Sequence, residues 1–136
     1  MATRLVLYDG VIQTYILDQA TQLVSKTAEE VMLAAKVMAP ERSGLLRASI
    51  HTTAPESRGL RVSTQVGSDQ YYAVFVHEGT RPHEEHAAPG EVLYLGPLGF
   101  ATEVHHPGTH GVPFLYEPLE RIGRRIGFIV TKEHIP

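Results

Sequence analysis

A chain of 136 residues, 43% hydrophobic and 20% charged, is long enough for one core and too apolar for a disordered tail. Its net charge of -3 offers no general attraction to nucleic acid, and the lack of cysteine excludes disulfides and thiolate zinc sites. No run approaches the roughly 20 apolar residues of a membrane span, and Leu5-Val6-Leu7 is too short for an export signal.

Residues 9–38 contain no proline. Ile16, Ala20, Leu23, Val24, Thr27, Ala28, Val31, Ala34, Ala35 and Met38 recur at steps of three and four, the mark of one amphipathic helix face. Asp9 is placed to cap this helix, and Leu23 and Val31 are expected as core anchors on its packed face. At about 42 Å the helix outruns the diameter of its own small domain, so part of it needs a partner, and a second copy is the natural one. Ser25-Lys26-Thr27 is the place where it could instead break.

Ala39-Pro40 ends the helix, and Ser43-Gly44 reads as a turn. Residues from Leu45 lead into the β-branched Ile50-His51-Thr52-Thr53. Leu60-Arg61-Val62-Ser63-Thr64-Gln65-Val66 alternates like a half-exposed strand, and the two are expected to pair with residues 55–59 at the tip.

Tyr71-Tyr72-Ala73-Val74-Phe75-Val76 is an apolar run that suits a buried strand or two helical turns, with Tyr72 and Phe75 as anchors. His77-Glu78-Gly79-Thr80-Arg81-Pro82 then stops it with polar and turn residues. Residues 54–59, 79–90 and 105–112 read as projecting loops. Residues 91–95 and 98–104 read as strands around Gly96-Pro97. Residues 113–127 read as a C-terminal helix, with Pro113 in its first turn and Phe114 and Leu115 anchoring it. Residues 128–130 read as a short strand or an extended tail, the tail running to 136. The sum is an α+β fold in a single domain, 1–136. A long N-terminal helix packs on a small, mostly antiparallel sheet spanning 45–112, and a short helix closes the chain.

Six of the eight histidines lie between positions 77 and 110. Imidazole is a common zinc ligand, and His83-Glu84-Glu85-His86 has ligand-like spacing. The zinc-hydrolase helix motif His-Glu-x-x-His starts at His77-Glu78 but fails at Arg81. No serine sits in a Gly-x-Ser-x-Gly elbow, and Gly108-Thr109-His110-Gly111 lacks the lysine of a phosphate loop. Arg121, Arg124 and Arg125 form a basic patch that Glu117 and Glu120 blunt. No active site, metal or cofactor is assigned. The residues favour an assembly protein over an enzyme.

Three stretches together resemble a family of tailed-bacteriophage neck and tail-completion proteins. The first is Ala39-Pro40-Glu41-Arg42-Ser43-Gly44-Leu45-Leu46-Arg47-Ala48-Ser49-Ile50, similar to that family's Ala-Pro, Gly, Leu-Arg, Ser-Ile signature after a long helix. The second is Tyr72-Ala73 through Val76 and then Glu78-Gly79-Thr80, similar to its Tyr-Ala…Glu-x-Gly-Thr segment. The spacing departs there, because the family often has Val-Glu-aromatic-Gly-Thr where this chain has Val76-His77-Glu78-Gly79-Thr80. The third is His106-Pro107-Gly108-Thr109-His110-Gly111 running into Pro113-Phe114-Leu115 and Pro118-Leu119.

The resemblance spans roughly residues 10–125. It implies a virion component, assembled in the host cytoplasm as a homo-oligomeric ring, sixfold on the tail axis. A head-closure or stopper protein would lie above it, a tail terminator or tail tube below, and DNA would pass through the lumen without sequence-specific contacts. Arg47, His77, Glu78, Thr80, Arg81, His83, His106 and His110 are the expected interface residues. A metal-dependent enzyme built on the histidine loops is the alternative reading.

Overall fold

The computed structural model describes residues 1–42 and 44–128. Ser43 of the expected turn, and the tail beyond Phe128, lie outside the described residues. The fold is α+β, and every strand pair in it is antiparallel. The chain divides into two compact units, one made of residues 1–70 with the segment from Phe114 onward, the other of residues 71–113.

The first unit is organised by helix α1, Asp9–Met38. Its cap is Tyr8 in extended conformation, without a side-chain hydrogen bond, so Asp9 enters the first turn rather than capping it. A negative charge there still favours the helix dipole. The helix buries Thr27, Ala28, Val31 and Ala35 on one stripe. Thr27 satisfies its buried hydroxyl by donating to the Leu23 carbonyl at 2.7 Å. Leu23 itself is 44% exposed and is not a core anchor. It lies roughly a quarter turn from the middle of the buried stripe, where Val24 takes its place.

Three short elements complete this core. Helix α2, Leu45–Ser49, starts after Gly44 and buries Leu46, so the segment expected to lead into a strand forms a turn and a half of helix first. Strand β1, Ile50–Thr52, pairs with β4, Val66–Ser68; β2, Glu56–Arg58, pairs with β3, Arg61–Ser63. Thr52 faces Val66 and Glu56 faces Ser63, so three residues on one side oppose two on the other and the hairpin carries a bulge. Its tip is Gly59-Leu60, not residues 55–59, because Glu56–Arg58 is itself a strand.

Helix α4, Tyr116–Ile126, buries Pro118, Ile122 and Gly123. Pro118, not Pro113, occupies its first turn, where a missing N–H costs nothing. Phe114 is fully buried, as expected, and Leu115 is half-buried. Arg125 reaches Glu30 of α1 at 2.8 Å.

In the second unit, helix α3, Ala73–Glu78, buries none of its residues. The run at 71–76 is therefore helical and is not a buried pin. Phe75 is 55% exposed and Tyr72 is half-buried, because a helix this short cannot turn every apolar side chain inward. Strands β5 (Gly79–Thr80), β6 (His83–His86), β7 (Leu93–Tyr94), β8 (Phe100–Ala101), β9 (Glu103–His106) and β10 (Thr109–His110) follow. β5 pairs with β10, β6 with β9, and β7 with β8.

Candidate functional site

The segments expected as two separate loops, 79–90 and 105–112, are largely the two sides of one ribbon. Gly79 faces His110 and Thr80 faces Thr109; His83 faces His106 and His86 faces Glu103. Both pairings share one register, and that register sets Pro82 opposite Pro107. Neither proline can donate to a ladder, so the ribbon is interrupted there and resumes on each side. The Ala87 N–H extends it to the Thr102 carbonyl at 2.9 Å.

Glycine makes the lower part possible. A Cβ on Gly79 would strike the Thr109 carbonyl oxygen and lie 2.6 Å from the Gly111 nitrogen. A Cβ on Gly108 would strike the Thr80 carbonyl oxygen and lie 2.9 Å from the Arg81 carbonyl carbon. Both glycines also hold positive φ, +80° and +83°, which disfavours any side chain. Across this crossing the Thr109 N–H donates to Thr80 Oγ1 at 3.0 Å, and the two threonine hydroxyls are also 3.0 Å apart. The Val112 N–H reaches the Val76 carbonyl at 2.9 Å and ties the return strand to α3.

Beyond the prolines the ribbon is polar apart from Val104, which faces Glu85. On one face the His83 and His106 rings stack, with centroids 5.1 Å apart. Glu85 shares this face, with Oε1 3.2 Å from His83 Nε2. On the other face His105 Nδ1 lies 2.6 Å from Glu84 Oε1, and His86 Nδ1 lies 3.9 Å from Glu103 Oε1. All four β6 residues are exposed.

Comparison with protein-family models, with curated proteins and with solved structures finds no match to this chain.

Of the eight expected interface residues, Thr80, Arg81, His83, His106 and His110 lie along the ribbon. His77 and Glu78 end α3 just before it, with His77 Nδ1 2.8 Å from Glu78 Oε1. Arg47 belongs to the other unit, on α2, where it pairs with Glu41 at 3.1 Å. Phe75, Gly79, Thr80, Arg81 and His83 line a shallow open groove beside the crossing. Gly108, Gly111, Glu84, Glu85 and His105 join this site although they are not among the eight expected interface residues. The signal for Glu85 was its spacing two residues from His83, which shares a face only on a strand.

His83 donates Nδ1–H to the Arg81 carbonyl at 2.9 Å. That bond raises its pKa above 6.5, and Glu85 and Glu84 raise it further. The protonated ring therefore stabilises the ribbon fully below about pH 6.5, and this contribution is lost as pH rises through the raised value. An NMR titration of His83 is expected to show a midpoint above 6.5, the ordinary value for histidine. Glu85→Gln is expected to lower it. A midpoint unmoved by that change would contradict the pairing.

Proposed function

We propose that this chain is a non-enzymatic structural subunit of a tailed-bacteriophage virion. It forms a ring in the neck and tail-completion region, joining the head-closure complex to the tail and letting DNA pass. The observation that carries this reading is a second apolar stripe on α1. Val11, Ile12, Tyr15, Ile16 and Leu23 fall at helical spacing on one face, and all are exposed, from 37% at Ile12 to 65% at Tyr15. That face is well round the helix from Thr27, Ala28, Val31 and Ala35. Thirty residues make α1 about 45 Å long, and its buried residues all lie in the C-terminal part. An apolar stripe of this extent on an exposed half-helix fits burial against a second copy.

Three further features support the reading. Two of the three stretches that carry the family resemblance meet at the glycine crossing of β5 and β10. The exposed ribbon offers a polar, histidine-rich surface of the kind that docks on a neighbouring protein. A net charge of -3 suits a channel that must release DNA rather than grip it. The enzyme reading is second, because the ligand-bearing groups sit on an exposed ribbon where water is not shut out.

The test is sedimentation of the full chain beside Tyr15→Asp and Ile16→Asp. Wild type is expected to sediment as an oligomer and both variants as folded monomers. Variants that assemble like wild type would contradict the placement of the interface.

A further inference from the structure

We propose that His83, Glu85 and His106 form a binding site for a divalent cation of the zinc class. The ligand-capable atoms of the three residues all lie within 4.8 Å of one another. Two donors on one tetrahedral zinc ion sit about 3.4 Å apart, so side-chain rotations must draw the set together, and the exposure of His83 and Glu85 permits them. The donors come from both strands, and two of them, His83 and His106, are directly paired in the ladder. The backbone therefore fixes their spacing.

The hydrogen bonds around His83 favour this use. Its Nδ1–H is held by the Arg81 carbonyl at 2.9 Å, which fixes the neutral tautomer with the Nε2 lone pair outward. That lone pair faces Glu85 Oε1 at 3.2 Å. Two electron-rich atoms at this separation need a proton or a metal ion between them. When the ring is neutral, the ion supplies what the proton does at low pH. His106 now accepts the Gly108 N–H on Nδ1 at 3.0 Å. Coordination through either nitrogen disturbs this one neutral hydrogen bond, a small loss against three coordinate bonds. Two imidazoles and one carboxylate are a zinc-type set with one position left for water. The ion would staple the two strands just beyond the Pro82–Pro107 interruption, where the ladder is weakest. The site stands on the ribbon's geometry and does not depend on the connector reading.

The probe is zinc chloride titrated calorimetrically into the tag-free full chain at pH 7.5. One equivalent is expected for wild type. His83→Ala and His106→Ala are each expected to lose it, with unchanged circular dichroism. His105→Ala, on the opposite face, is expected to keep it. Absence of saturable binding to wild type would overturn the site, as would equal binding by the His83→Ala and His106→Ala variants.

Discussion

Replacing Gly108 by alanine is expected to open the crossing of β5 and β10 while α1 stays folded. Two costs add at this position. Positive φ disfavours a side chain by about 1–2 kcal/mol, and forcing an extra methyl against packed atoms costs about 1–3 kcal/mol more. The second cost is hard to relieve, because the atoms that the new Cβ meets, the Thr80 oxygen and the Arg81 carbonyl carbon, belong to the backbone. Gly59→Ala is the matched control, since Gly59 also has positive φ, +60°, but its Cβ would enter open space. The difference between the two variants isolates the clash. Hydrogen exchange reads it directly: the Thr109 and Val112 amides are expected to lose protection in Gly108→Ala and to keep it in Gly59→Ala. Unchanged protection in Gly108→Ala would mean that the crossing is not held as described.

Phe114→Ala is expected to cost about 3–5 kcal/mol, the range for emptying a fully enclosed aromatic site. Phe114 is completely buried, and Ile50, Val31 and Pro118 are the other large side chains enclosed in the same unit. Deleting the ring removes apolar burial and leaves a cavity in a packed core that relaxes only in part. Leu23→Ala, on an exposed face, should cost far less in the isolated chain. Urea unfolding of the two variants compares them on one scale. A Phe114→Ala loss no larger than that of Leu23→Ala would contradict the assignment of the core.

The two longest helices, α1 and α4, were the legible part of the fold. From Ala20 to Met38 the three- and four-residue steps of α1 follow the buried stripe, because a long proline-free helix leaves periodicity little competition. Leu23 failed because it fits the step pattern while sitting a quarter turn off the stripe's centre. Six apolar residues suit either a strand or two turns, so the pattern at 71–76 does not decide the helical form of α3.

The ribbon was not legible. His83-Glu84-Glu85-His86 has no β-branched residue, and Gly79, Pro82, Pro107 and Gly108 all read as loop chemistry. Its strands exist because two distant segments pair, and the register that aligns Pro82 with Pro107 is a property of the pair, absent from either segment alone. For the same reason the ligand-like spacing of His83-Glu84-Glu85-His86 does not show that Glu85 shares a face with His83, which follows only from β6 being a strand. The histidine cluster was visible as composition, but its division into two faces, His83 and His106 on one and His86 and His105 on the other, needed the ladder.

The central claim is that this chain assembles into a ring through the exposed stripe of α1. Negative-stain electron microscopy of the purified full chain tests it most directly. Closed rings of about sixfold symmetry with a central channel are the expected result. A field of single, unassembled protomers at concentrations where the protein stays soluble would contradict it.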